Sequence, residues 1–209
     1  MKPIDLNCDV GEGLGNEDKL LPYISSCNIA CGGHAGDEET MDKVIALAIQ
    51  HKVKIGAHPS YPDQENFGRK TLKISPEDLK DSIREQMAVF FNILRRNGGA
   101  LNHIKPHGAL YNDLAKDKSL CKVFLEAIAP YKPEVKLYVP YGSVIAEEAK
   151  EKAWMLVYEA FGDRNYNDDL SLVSRMNANA LIRKPDRVLE HMLNIIESGK
   201  VRTVSGQFQ

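Results

Sequence analysis

Three histidines, His34, His58 and His107, each fall one to three residues beyond a short apolar run and beside glycine or proline. Asp9 and Glu12 follow another such run in "NCDVGEG". A carboxylate joined by imidazoles from separate segments is a nitrogen and oxygen donor set for a divalent metal, because neutral imidazole offers a lone pair and the carboxylate offers charge. The same residues also read as loop histidines bonded to backbone and as solvated acids, and the sequence leaves both readings open. His51 and His191 lie on helical faces and His103 inside a strand, where a structural role is expected. Cations form a second group: Lys105, Arg69, Arg164 and Arg175. Lys105 ends an apolar run, and a buried ammonium without a partner is costly, so a carboxylate of the substrate or of the protein must meet it. No serine sits in a Gly-x-Ser-x-Gly elbow, and Cys31 is followed by two glycines rather than a helix. Acid-base or metal-assisted hydrolysis therefore ranks ahead of nucleophilic catalysis.

The stretch "CNIACGGHAGDEET" (27 to 40) presents one of these imidazoles. Gly32 and Gly33 allow a sharp turn at a strand end and close approach of another group. His34 is then turned inward, and Asp37 caps the helix that follows.

The elements that must position these residues alternate. "IDLNC" (4 to 8), "CNIAC" (27 to 31), "VKIGA" (53 to 57), "LNHIK" (101 to 105), "VKLYV" (135 to 139) and "WMLVYEAF" (154 to 161) read as strands buried on both faces. Met41, Val44, Ile45 and Ala48 recur at helical spacing after Asp37. Ser75 and Pro76 start a helix running through Ile83, Met87, Phe90, Phe91 and Leu94 to Gly98-Gly99. "SLCKVFLEAIA", "VIAEEAKEK" and "PDRVLEHMLNIIESG" follow the same design. Strand and helix in alternation predict a parallel α/β fold. Polar residues after several different strands favour a β/α barrel over a doubly wound sheet, since the strand ends must converge. The irregular segment 58 to 74 exceeds ordinary loop lengths and reads as an active-site lid.

The 209 residues are expected to form one domain over 1–209, with 43% hydrophobic and 27% charged residues. A net charge of −2 provides no basic field for nucleic acid or anionic lipid. No apolar run approaches a membrane span, and Met1-Lys2-Pro3 leads into a strand without a signal-peptide core, so a cytoplasmic protein is expected. Cys8, Cys27, Cys31 and Cys121 read as reduced thiols. "GEGLGNED" lacks the spacing of a phosphate loop.

"DLNCDVGEG", "NIACGGHAGD", "GAHPSYPD…FGR", "IKPHGALYN" and "FGDRNYNDDLSLVSR", in this order and with these gaps, resemble the 5-oxoprolinase A subunit family, also called the LamB/YcsF family. The resemblance implies a seven-stranded parallel β/α barrel of the glycoside hydrolase/deacetylase type. It also implies ATP-dependent opening of the 5-oxoproline lactam to L-glutamate together with partner subunits B and C. Carried onto this sequence, the family's blocks give Asp9, Glu12, Lys105, His107, Asp163 and Arg164 as catalytic candidates. His34, Asp37, His58, Asp63, Arg69, Tyr111 and Asn112 become substrate-binding candidates. Analogy with deacetylase barrels adds a divalent metal on Asp9, His34, His58 and His107. ATP is expected to phosphorylate the lactam oxygen, with its site on a partner or of a non-standard kind. The sequence departs from the family pattern at Gly33, usually Phe, and Gly162, usually Ala. Family members continue past "VSGQ" into a Cys-Val-His-Gly-Asp segment, whereas this sequence ends at Gln209. The barrel is expected to be incomplete if that segment is a stave, with truncation, completion by a further chain of the complex and reduced activity as alternatives. Two other functions stay open: a stand-alone metal-dependent deacetylase or amidohydrolase, and a non-catalytic 5-oxoproline-binding subunit.

Overall fold

The computed structural model describes residues 4–209, and the reading of Met1-Lys2-Pro3 lies outside them. The chain forms two compact units, one up to Val139 with Ser143–Val157, the other Pro140–Gly142 with Tyr158–Gln209. The first holds most of the sheet. In chain order the elements are β1 (Asn7–Val10), α1 (Glu17–Leu20), β2 (Ser26–Ala30), α2 (Glu38–Gln50), β3 (Lys54–His58), α3 (Pro76–Arg96), β4 (Leu101–Ile104), α4 (Gly108–Leu114), α5 (Lys118–Ala127), β5 (Lys136–Pro140), α6 (Val144–Glu151), β6 (Met155–Glu159) and α7 (Pro185–Ser198). The strands follow one another across a six-stranded sheet in the order β1 to β6. The pairs from β1 to β5 are parallel. Successive helical connections between neighbouring parallel strands are what βαβ units produce.

Each apolar run named from the sequence overlaps one of the six strands, although the first is displaced: β1 spans Asn7–Val10, whereas the run covers 4 to 8. A seventh strand and a pairing of β1 with β6 are both absent among the described residues, so the expected seven-stranded barrel becomes a six-stranded parallel half-barrel. Chain beyond β6 forms α7 and turns linked by isolated bridges such as Arg164 with Leu181 and Tyr166 with Thr203.

Helices α2 and α3 pack through the faces that periodicity marks, whereas α7, expected to follow the same design, has no buried residue. Met41, Val44, Ile45 and Ala48 of α2 are all buried, and Asp37 accepts a hydrogen bond from the Thr40 amide at 2.8 Å as N-cap. In α3 the cap is Ser75, with Pro76 in the first turn, and Leu79, Ile83, Met87, Phe90 and Leu94 are buried. The glycine pair ends that helix because Gly98 takes a φ of 72°. Cys27, Cys31 and Cys121 are buried thiols, and desolvation pushes each up to about 12. Among the described residues no helix is long and apolar enough to cross a membrane.

Candidate active site

β1, β2, β3 and β4 deliver their C-terminal ends to one place, where Asp9, Glu12, His34, His58, Lys105 and His107 meet. Asp9 sits in β1 and His58 closes β3. Glu12 follows β1 on a turn that is held when the Gly11 amide donates to Glu17 Oε1 of α1 at 3.1 Å. His34 follows β2 on the glycine turn. Gly32 supplies the left-handed backbone, with φ of 91°, whereas Gly33 is needed for space. A Cβ on Gly33 would collide with Ser60 Oγ and the Gln86 carboxamide. Gln86 ties α3 to the loop after β3, accepting from the Ser60 amide at 3.0 Å and donating to its carbonyl at 2.9 Å. Lys105 and His107 extend β4 along β3, their amides donating to the carbonyls of Ala57 and Pro59 at 2.9 Å each.

Glu12, His34, His58 and His107 bring one ligand atom each to within 4.8 Å of one another, and all three histidines are buried. The backbone fixes the tautomers of two of them. His58 Nδ1 lies 2.7 Å from the Lys105 carbonyl and His107 Nε2 lies 3.0 Å from the Phe67 carbonyl. Carbonyls only accept, so each of these nitrogens carries the proton and donates it. In the neutral rings the lone pairs of His58 Nε2 and His107 Nδ1 therefore face each other at 2.9 Å. Glu12 Oε1 adds negative charge 3.4 Å from His107 Nδ1, 3.9 Å from His58 Nε2 and 3.0 Å from His34 Nε2. Converging acceptors of this kind repel unless a cation lies among them, either a proton or a metal ion. A shell with metal–ligand bonds of about 2 Å can reach these atoms after small side-chain adjustments. The residues fit a divalent ion, with the Lys105 and Phe67 carbonyls orienting the imidazoles as outer-shell acceptors commonly do.

Desolvation favours neutral rings. Burial lowers His34, and burial with the neighbouring His58 and His34 takes His107 down to about 2. His34 stacks on His107 with ring centroids 3.5 Å apart and an interplanar angle of 2°, and its Nδ1 is buried without a hydrogen-bond partner.

Asp9 is placed differently from the expected metal ligand. Its Oδ1 accepts from Lys105 Nζ at 3.2 Å and from Asn28 Nδ2 at 2.8 Å, and its Oδ2 lies 3.4 Å from His58 Nε2. The carboxylate within reach of all three imidazoles is Glu12, because one oxygen of Asp9 is already taken. Burial alone would raise the Asp9 carboxyl, but His58 and Lys105 outweigh it and hold it well below the usual range. With its side chain 33% exposed, Asp9 is the acid of the group most open to an incoming molecule. The carboxylate that Lys105 requires is thus internal.

The other candidates have partners of their own. Phe67, which the sequence reading passed over, packs edge-on to His34 and His107 at 5.2 and 5.5 Å. The 58 to 74 segment is bonded to its neighbours: the Asp63 amide donates to the Gly33 carbonyl and the Ala109 amide to that of Gly68. Asp63 Oδ1 accepts from the Asn66 amide and side chain, while its Oδ2 is buried without a partner. Arg69 is exposed, its guanidinium 4.7 Å over the Phe67 ring. Asp37 is committed to its cap, Tyr111 is buried in α4, and the exposed Asn112 donates to the Gly108 carbonyl. Asp163 and Arg164 belong to the second unit, where the buried Arg164 donates to the carbonyls of Val173 and Ala180 and the Asp163 carbonyl accepts from the Ile182 amide. That guanidinium anchors a turn. Asn28 and Gln86 were missed, although each leaves a signal: a lone amide inside an otherwise apolar strand or helical face.

A parallel α/β fold with acids, imidazoles and an ammonium gathered at its strand ends defines a hydrolase-like protein of the strand-end type. The chain belongs to the LamB/YcsF family, whose profile matches residues 4–208. It is 42% identical to the 5-oxoprolinase A subunit of Shouchella clausii, over 99% of this chain and 83% of that protein. With the 5-oxoprolinase A subunit of Bacillus cytotoxicus it shares 39% identity over 99% of this chain and 84% of the other. The crystal structure of the lactam utilization protein from Thermus thermophilus is similar in fold, with a TM-score of 0.91, 33% identity, and coverage of 98% of this chain and 85% of that one.

Proposed function

We propose that this chain is the A subunit of an ATP-dependent 5-oxoprolinase, which opens the lactam of 5-oxoproline to L-glutamate in company with subunits B and C. The observation that carries the reading is the buried cluster of Glu12, His34, His58 and His107 beside the Asp9–Lys105 pair, in a chain whose relatives bear that name.

Lactam opening breaks the amide C–N bond, adds hydroxyl to the carbonyl carbon and returns a proton to nitrogen. An unstrained amide needs an activated carbonyl and a positioned water. Asp9 Oδ2, the oxygen left facing His58, is placed to take the proton of that water. Lys105 holds Asp9 ionised through its ammonium. His58 and His107, with protons fixed on the nitrogens facing carbonyls, direct their other nitrogens and Glu12 toward one point. A divalent ion at that point would act as a Lewis acid toward the carbonyl oxygen. Phe67 packs against His34 and His107 on that side. ATP activation of the lactam oxygen is assigned to the assembled enzyme, since this sequence has no phosphate loop of its own.

The metal-binding geometry also favours a second reading, a metal-dependent amidohydrolase acting alone. Glutamate formation from 5-oxoproline and ATP, measured for the chain by itself and with subunits B and C, separates the two. Turnover only in the full assembly supports the first reading. Glutamate formed by the chain alone without ATP supports the second, and none from the full assembly rejects both.

A further inference from the structure

Directly beneath the strand-end cluster a row of residues runs from Asp9 across the sheet, and past Asp9 its members have no part in the chemistry above. Asp9, Asn28, Gly56 and His103 are successive Cα partners across β1, β2, β3 and β4. Neighbours in such a row point to the same face of the sheet. Gly56 is the gap in it. A Cβ there would collide with the His103 ring, so its absence lets His103 reach across β3 to Asn28 on β2. His103 Nε2 and Asn28 Oδ1 are 2.6 Å apart, and both residues are fully buried.

The bonding fixes the polarity of this contact. Asn28 Nδ2 lies 2.7 Å from Asn7 Oδ1 and 2.8 Å from Asp9 Oδ1. A carboxylate only accepts, so the Asn28 nitrogen faces it and both amide protons are used. The Asn28 oxygen then faces His103, which must carry its proton on Nε2. Burial lowers His103 to about 3, so the neutral ring has a single proton; it goes to Nε2, at the shorter contact, and leaves Nδ1 as an acceptor 3.3 Å from the Asn102 carboxamide. A flipped Asn28 would set its oxygen against Asp9 and its amide protons against the imidazole N–H. The His103 ring is itself held by stacking on Tyr138, centroids 4.0 Å apart, and the Tyr138 hydroxyl donates to Asp5.

We propose that Asn28 and His103 are positioning residues for Asp9: His103 locks the Asn28 amide in one orientation, and that amide keeps Asp9 Oδ1 occupied so that Oδ2 is presented to the reaction centre. Lys105 alone would leave Asp9 free to turn about its ammonium, because Nζ is a point donor that either oxygen can satisfy. Asn28 removes that freedom. The catalytic consequence rests on the 5-oxoprolinase reading, whereas the orientation of Asp9 does not.

Two variants break the lock without touching the cluster, His103→Leu and Gly56→Ala, and His103→Gln keeps an N–H donor. In the assembled 5-oxoprolinase, His103→Leu and Gly56→Ala should lower kcat about 10- to 100-fold with KM within about twofold, and His103→Gln should recover much of the loss. Crystal structures of the variant chains should show the Asp9 carboxylate turned away from His58 in the first two and unmoved in the third. An unmoved carboxylate in both His103→Leu and Gly56→Ala overturns the proposal, as does an unchanged kcat in both when the wild-type assembly is active. A wild-type assembly inactive on 5-oxoproline sinks the functional reading instead, and the carboxylate orientation still decides this one.

Discussion

His103 and His107 stand four residues apart on one segment, both are buried, and desolvation lowers both, to about 3 and about 2. Their surroundings differ. His103 donates from Nε2 to Asn28 and stacks on Tyr138, so its bonding proton has a receiver and the contact is attractive as it stands. His107 donates from Nε2 to the Phe67 carbonyl and points its other nitrogen at His58 Nε2 and Glu12 Oε1, an arrangement of acceptors that needs a cation. Burial and a depressed pKa are thus common to a structural and a functional imidazole. What separates them is whether the donors and acceptors balance.

The sharpest way to break this comparison is to remove a cluster imidazole. His107→Ala or His58→Ala should abolish divalent-ion binding, measured by metal content after dialysis, and cut turnover of the assembled enzyme by roughly 100-fold or more. Each also leaves a cavity and a carbonyl without its donor, a loss of stability that relief of the cluster's repulsion offsets in part; retention of full metal content and turnover in both variants would place the two histidines in the structural class with His103.

The next effect lies in the structural layer. His103→Ala leaves a cavity and a buried Asn28 oxygen without its donor, so chemical denaturation should report a loss of about 2–4 kcal/mol, with metal content retained. A loss below about 0.5 kcal/mol would mean that the layer is not needed for folding.

The pH dependence of stability tests the same layer. The folded-state pKa of His103 lies at about 3, below the ordinary histidine value of about 6.5. Between these values the unfolded chain binds a proton that the folded chain refuses. The His103 contribution is therefore complete above about pH 6.5 and is lost progressively as pH falls toward 3. Denaturation midpoints should show a steeper fall over that window for wild type than for His103→Leu, and equal slopes would contradict the assignment of His103 as buried and neutral.

The smallest effect concerns the mount of His34. Asp37→Ala removes the Thr40 cap and should cost about 1 kcal/mol, whereas His34→Ala should leave the thermal midpoint nearly unchanged while lowering activity. A large drop in thermal midpoint for His34→Ala would make that ring a brace for its loop.

The strands, the helices between them and the strand-end origin of the site are legible in the chain alone, because these follow from local periodicity. Asp37, Ser75 and the buried face of α2 are where capping and spacing put them, since a cap or an amphipathic stripe needs only its near neighbours in the chain. The short helix α4 escaped notice: seven residues opened by a glycine give too few turns for a pattern. Which carboxylate the imidazoles share depends on contacts between residues far apart in the chain. Asp9 and Glu12 are three residues apart and chemically alike, yet Lys105, remote in sequence, takes an oxygen of Asp9 and leaves Glu12 to the histidines. The tautomers of His58 and His107 were likewise invisible, because they depend on carbonyls of Lys105 and Phe67 that reach them through folding. The role of Gly56 was hidden for the same reason: a missing side chain on β3 acquires meaning only when His103 of β4 lies across it.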